Sequence, residues 1–181
     1  NLVKNLNISD IKIDYVYPGA TDLRNEDPIE IPNIKGDPTI LTLGRIEKRK
    51  GHSYVINCVK KLLSKYPNIK YIIAGEGPEK NELEKMVLSN KLSKNIIFVG
   101  KVNNSQKKFI FEITDLMIMP TIDESIKNSI EGFGIVYLEA AFFSIPSIAS
   151  NVGGTSEAVI NNLTGIVIDN IDNLYDAMLK L

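Results

Sequence analysis

From residue 39 onward, short apolar runs rich in Val and Ile alternate with helix-length segments. That alternation leaves few options other than parallel strands joined by crossover helices. The runs fall at 39–43, 70–74, 96–99, 116–119, 147–149 and 165–168, each a few residues long and apolar on both faces. Strands covered by helices on both sides read this way. The first intervening segment carries Val55, Val59, Leu62, Leu63 and Tyr66 at the helical period, with Lys60, Lys61 and Lys65 largely on the other side and Pro67 ending it. Further helices are expected at 80–90, 105–113, 134–143, 155–160 and 171–181. The expected fold is an open, doubly wound α/β domain with a mainly parallel, six-stranded sheet over residues 39–181. Residues 1–38 read as a linker with an edge strand that runs into it. Ile11, Ile13, Tyr15 and Tyr17 alternate as an edge strand would, Pro18-Gly19 turns the chain, and 21–38 reads as a surface connection.

The composition narrows the function. The 181 residues carry 21 Lys plus Arg against 22 Asp plus Glu, a net charge of -1, which argues against binding nucleic acid by general phosphate attraction. One cysteine, Cys58, and one histidine, His52, rule out a disulfide framework and a Cys/His metal cluster. No apolar stretch approaches the ~18 to 20 residues of a membrane span, and residues 1–17 lack the order of a signal peptide. A cytoplasmic location is therefore expected. The chain begins at Asn1, and 175–181 reads as a helix cut in mid-run, so a piece of a longer protein is expected.

In an open α/β sheet, ligands bind beyond the carboxyl ends of the strands, near the switch in strand order. The residues there are Gly44-Arg45, Gly75-Glu76-Gly77-Pro78, Gly100-Lys101, Pro120-Thr121 and Asn151-Val152-Gly153-Gly154. Arg45 and Lys50 share one strand-to-helix loop, closed by Gly51. Two cations at this edge suit a diphosphate, although with Lys48 and Arg49 adjacent they also read as a solvated basic turn. Gly132 and Gly134 flank Phe133 and open a helix, whose N-H groups at Gly134, Ile135 and Val136 would form an anion site. Glu139 lies a turn inside that helix in apolar company, so it should face a cleft or pair with a ligand hydroxyl. Glu131 stands before the helix, where capping is an equally good account. Gly75-Glu76-Gly77 is too incomplete for a dinucleotide fingerprint. His52 reads as a surface residue at a helix start, and no Asp-x-Asp pair suggests a metal site.

Taken in order, Gly44-Arg45 with Lys50-Gly51, Gly75-Glu76-Gly77-Pro78, Phe98-Val99-Gly100, Glu131-Gly132-Phe133-Gly134 with Glu139-Ala140, and Gly153-Gly154-Thr155-Ser156-Glu157 resemble the C-terminal, donor-binding lobe of the family 4 retaining glycosyltransferases. That family has the GT-B architecture of two facing Rossmann-like lobes. The resemblance covers about 11–170. It implies that Arg45 and Lys50 hold the donor diphosphate and stabilise the departing nucleoside diphosphate in place of a metal, so that no cofactor is expected. It further implies that Glu131 faces the donor sugar, that Glu139 accepts from the ribose hydroxyls, and that the N-H groups of Gly134, Ile135 and Val136 hold phosphates. Gly44 lies at the same phosphate edge. The segment around Val99 would receive the base through its main chain, so the donor is expected to be a UDP-, GDP- or ADP-sugar.

The acceptor, a glycan or lipid-linked molecule, would bind a missing N-terminal lobe, and that lobe would also carry any peripheral attachment to the inner face of the membrane. The expected activity is retaining sugar transfer in cell-surface polysaccharide synthesis, with the chain alone inactive. Two departures from the family pattern stand out, a longer loop at 121–130 before Glu131 and Ser144 in place of a glycine. A sugar-nucleotide epimerase on similar lobes would need acids and histidines poised at the sugar. A receiver-like regulatory domain would gather aspartates after its first strand, where this chain has Leu43-Gly44-Arg45.

Overall fold

The computed structural model describes residues 16–123 and 131–181. Among these residues, six strands form one sheet: β1 (Thr39–Leu43), β2 (Lys70–Ala74), β3 (Ile96–Gly100), β4 (Leu116–Met119), β5 (Ser147–Ser150) and β6 (Gly165–Ile168). Every pairing is parallel, in the order β3-β2-β1-β4-β5-β6. β3 and β5 each run one residue beyond the sequence reading. The helices are α1 (His52–Leu62), α2 (Lys80–Ser89), α3 (Asn104–Glu112), α4 (Ile135–Phe142), α5 (Thr155–Ala158) and α6 (Leu174–Lys180).

The two-residue period of the strands divides the core between the sheet's faces. Ile40, Tyr71, Ile73, Ile118 and Ile148 pack with α1, α2 and α6, whereas Leu41, Ile72, Ala74, Met117 and Ala149 pack with α3, α4 and α5. At roughly 1.5 to 3 kcal/mol for each large apolar side chain buried, these two layers dominate the stability. Helix ends are where the sequence reading was least accurate. α1 stops at Leu62 rather than running to Tyr66, because Lys65 and Tyr66 both donate back to the Leu62 carbonyl in a closing turn. α3 starts at Asn104 because Asn103 and Gln106 form a reciprocal capping box. Residues Ile171–Asn173 make a 3-10 turn before α6.

The stretch read as a surface connection is more than that. Leu23 and Ile34 are fully buried in the second core layer, the Ile29 N-H donates to the Ser105 carbonyl, and Lys108 donates to the carbonyls of Arg24 and Glu26. Its prolines and acids hid two isolated apolar anchors with no period to reveal them. Of the proposed edge strand at 11–17, only Val16 and Tyr17 lie within the described residues, and they form no strand there.

Close approach of neighbouring backbone requires glycine at several positions, Gly75 and Gly154 among them. A Cβ on Gly75 would stand 1.8 Å from the Gly44 carbonyl oxygen, and one on Gly154 would stand 2.1 Å from that of Gly132. The glycines at the strand ends thus allow the loops to pack on one another, which joins the loop before α4 to the loop after β5.

Candidate functional site

The strand order reverses between β1 and β4, so the loops leaving these two strands diverge and open a crevice at the carboxyl edge. The loop after β1 supplies the cations. Near its end Lys48–Lys50 form a 3-10 turn, which turns Lys50 inward until only 7% of the residue is exposed. The Lys50 ammonium donates to the Glu131 carboxylate and lies 3.3 Å from the Met119 Sδ at the end of β4. Arg49 approaches the same carboxylate oxygen with Nη1 at 2.8 Å and gives its Nε to Glu47 at 2.9 Å. Arg45, with a side chain 75% exposed, pairs with the other oxygen of Glu47 at 3.1 Å. The result is a chain of alternating charge, Arg45-Glu47-Arg49-Glu131-Lys50, that runs from solvent into the sheet edge.

Burial pushes the Glu131 carboxyl upward, but the hydrogen bonds and charges of Lys50 and Arg49 outweigh it and hold the group below the usual carboxylate range. Glu131 is therefore ionised at neutral pH and serves as the local counter-ion of two cations. Beneath it, the buried Tyr137 hydroxyl donates to the Met119 carbonyl at 2.8 Å, and burial raises that phenol far above its ordinary value.

The facing wall is α4. Gly134 takes a left-handed conformation (φ 83°) immediately before the helix and, as a glycine, brings no side chain of its own to cap it. Among the described residues, no backbone carbonyl accepts from the N-H groups of Gly134, Ile135 or Val136, and such groups at a helix start are of the kind that bind anions. Glu139 points across to α3, where Lys107 Nζ lies 2.6 Å from its carboxylate. A cleft of about 460 Å³ lies between Gly44 and Arg45 on one side and Lys107, Val136 and Glu139 on the other, with Val102 also lining it.

Six of the sequence-derived residues fall into two groups, while Gly134 and Ile135 stand at the start of α4 without lining the cleft. Gly44, Arg45, Val136 and Glu139 line the cleft, whereas Lys50 and Glu131 form the buried end of the charge chain beside it. Val99 packs against the second core layer, and the residues of its segment that reach the cleft are Lys101 and Val102. Arg49 and Lys107, the partners of the two glutamates, were missed. Arg49 was read as part of a solvated turn, and Lys107 lies 32 residues from Glu139 with nothing local to link them.

His52 requires a correction. It is 2% exposed and not a surface residue, because the Gly51 turn (φ 71°) folds it against β2. Its Nδ1 lies 3.2 Å from the Tyr71 hydroxyl, which lies 2.8 Å from Thr42 Oγ1, and the Thr42 hydroxyl donates to the Ile118 carbonyl. Thr42 uses its only proton on Ile118, so Tyr71 donates to Thr42 and His52 donates from Nδ1 to Tyr71. Burial lowers the His52 pKa to about 4, so the ring is neutral at neutral pH. Of the two departures from the family pattern, the loop at 121–130 lies mostly outside the described residues, and Ser144 is left-handed (φ 58°) at the end of α4, a position that favours glycine.

Among the described residues, no cluster of three or more His, Cys, Asp or Glu side chains could hold a metal ion, and no helix is long and apolar enough to cross a membrane. A family model described as glycosyl transferases group 1 matches residues 24–181. A GDP-mannose-dependent alpha-(1-6)-phosphatidylinositol monomannoside mannosyltransferase from Mycobacterium tuberculosis is 29% identical over 178 residues, covering 93% of this chain and 46% of the relative. A glycogen synthase from the same organism is 31% identical over 72% of this chain and 30% of its own length. The chain thus spans less than half the length of these relatives.

Among solved structures, the C-terminal domain of a glycosyl transferase group 1 family protein from Francisella tularensis superposes with a TM-score of 0.69 at 26% identity, covering 90% of this chain and 87% of that one. An S. aureus TarM mutant in complex with fondaparinux, alpha-GlcNAc-glycerol and UDP gives a TM-score of 0.74 at 22% identity, over 99% of this chain and 34% of that one. The parallel sheet, its switch-point crevice and the extent of these matches lead to one assignment: the chain belongs to the group 1 glycosyl transferases and has the fold of their GT-B C-terminal domain.

Proposed function

We propose that this chain is the donor lobe of a two-lobe enzyme that transfers a sugar, with retention, from a nucleotide-diphospho-sugar to a glycan or lipid-linked acceptor. The observation that carries this reading is the arrangement at the switch point, where a buried lysine held by a glutamate lies beside a cleft walled by Val136 from the first turn of α4 and by a second glutamate. In this reading Lys50 and Arg45 hold the diphosphate, with the Gly134, Ile135 and Val136 N-H groups beside them. They stabilise the charge that develops on the departing nucleoside diphosphate, and no metal is required. Glu131 faces the donor sugar, and Glu139 accepts from the ribose hydroxyls. Gly44 lets the diphosphate approach the backbone, and the main chain after Val99 receives the base. The relatives favour a nucleoside diphosphate as the shared element, since one uses GDP-mannose and a structural neighbour was solved with UDP.

The acceptor belongs to a second lobe, so the chain alone binds donor without turning over. The product is a surface glycan made on the cytoplasmic side of the membrane. A thermal-shift panel of uridine, guanosine, adenosine and cytidine diphosphates and their sugar conjugates tests the reading. Ligand at about 100 times its dissociation constant should stabilise the chain by ~2.7 kcal/mol. Arg45→Ala should remove most of that shift, as should a Lys50 substitution. Undiminished shifts in both variants, or no shift with any nucleotide in the wild type, would overturn it.

A further inference from the structure

Lys50 is proposed to bind phosphate, yet its ammonium already sits on Glu131. A phosphate that took Lys50 from Glu131 would leave a buried carboxylate without a counter-ion, unless another cation were in place. Arg49 is that cation. Its Nη1 stands 2.8 Å from the same Glu131 oxygen, and its Nε is tied to Glu47 at 2.9 Å. Its main chain is fixed as well, because its carbonyl accepts from the Ile122 N-H at 2.7 Å, which binds the β1 loop to the chain leaving β4. The guanidinium is thus held at two points and the main chain at a third, and the side chain is 16% exposed. Charge counting agrees with this role. Arg45-Glu47-Arg49-Glu131-Lys50 carries three cations and two carboxylates. If Lys50 turns to a ligand, the remaining four charges balance, but without Arg49 the whole set is neutral and an anion must compete with Glu131 for Lys50.

We infer that Arg49 is a positioning residue for this site: it keeps Glu131 charged and in place, and so releases Lys50 to a diphosphate. This inference rests on the donor-site reading above. The planar fork serves both carboxylates at once, which a lysine ammonium at this position would not do in the same geometry. The groups facing Glu131 are Lys50 and Arg49 from the β1 loop and Tyr137 from α4, with Glu47 behind Arg49.

The test is calorimetric titration of the 181-residue chain with inorganic pyrophosphate from pH 5 to 8. Each variant's dissociation constant is read as a ratio to the wild type, so that titration of pyrophosphate itself cancels. Arg49→Gln should weaken binding roughly tenfold at pH 7.5, the scale of one charge-assisted bond. The ratio should shrink as pH falls, because Glu131 without Arg49 takes up a proton more readily and lets Lys50 go. Adding Glu131→Gln to Arg49→Gln should recover the affinity of Glu131→Gln alone, Arg49→Lys should be intermediate, and the exposed neighbour substitution Lys48→Ala should change little. An Arg49→Gln variant that binds as the wild type does would overturn the inference. So would a loss that ignores both pH and Glu131→Gln, or a loss matched by Lys48→Ala. Failure of the wild type to bind pyrophosphate or any nucleoside diphosphate, or undiminished binding by Lys50→Met, would instead overturn the donor-site reading.

Discussion

Glu131 and Glu139 are separated by seven residues, yet different forces hold them. Glu131 lies on irregular backbone before α4, and two cations from the β1 loop grip it, one of them 7% exposed. Glu139 rides on a regular helical turn and has one lysine, from α3, at the wall of an open cleft. The first carboxylate is part of a network that ties the loop after β1 to the loop before α4, so a change there spreads. The second keeps its place through the helix that carries it, so a change there should stay local and act on the ligand.

Lys50→Met is the strongest way to break this contrast. Removing one partner of a buried ion pair costs about 3 to 5 kcal/mol, and the lower end applies here because Arg49 remains on Glu131. Urea unfolding should show that loss, whereas Arg45→Met, which removes an exposed pair, should stay within about 1 kcal/mol. Similar losses in the two variants would mean that the buried end of the network has no special weight.

The next effect separates His52 from Glu131 behind the same loop. The native His52 pKa is about 4 against an ordinary 6.5, so the unfolded chain takes up the proton first, and stability falls as pH drops from 6.5 toward 4. At 1.36 kcal/mol per pH unit the full loss is about 3 kcal/mol. Glu131 has the opposite charge type and the same sign of slope. Its native value is lowered, so its stabilisation is present above the ordinary carboxylate value of 4.5 and is lost as pH falls through its lower native value. Melting temperatures across pH 3 to 8 should therefore lose their upper slope in His52→Gln and their lower slope in Glu131→Gln. Unchanged curves would mean that these groups do not titrate as their surroundings dictate.

Ligand binding sharpens the other side of the comparison. Glu139→Ala should weaken nucleoside diphosphates by about tenfold or more while leaving inorganic pyrophosphate little changed, because only the former offers ribose hydroxyls. Lys50→Met should weaken both. Equal loss of both ligands in Glu139→Ala would indicate that α4 had moved, and the expected locality would fail. The smallest effect is at the end of the same helix, where Ser144→Gly relieves a left-handed serine and should stabilise by up to about 1 kcal/mol without altering ligand affinity. A destabilised variant would show that the serine side chain matters more than its backbone strain.

The legibility of the chain follows the same division. β1, β2, β4 and β6 were readable to the residue because a run such as Lys70–Ala74 is buried on both faces and carries its signal in its own side chains. The Gly44 to Gly51 loop and the Gly132-Phe133-Gly134 segment were readable as features of the sheet's carboxyl edge because both sit at strand or helix ends. The partners of the glutamates were not. Arg49 in a Lys-Arg-Lys run looks solvated, and only the 3-10 turn aims it at Glu131, 82 residues away. His52 was rightly placed at a helix start but looked like a surface residue, and only the Gly51 turn, which folds it against Tyr71, made it a buried one. Leu23 and Ile34 were hidden among prolines and acids for the same reason, since nothing nearby repeats them.

The sequence by itself determined which segments are strands and helices, that the sheet is parallel, and that glycines and cations gather at its carboxyl edge, because each follows from side chains within one segment. Only the tertiary structure decided which cation meets which carboxylate. Placing β4 beside β1 brings Lys50 to Glu131 across 81 residues and Lys107 to Glu139 across 32, and no local pattern records a contact made by strand order and helix packing.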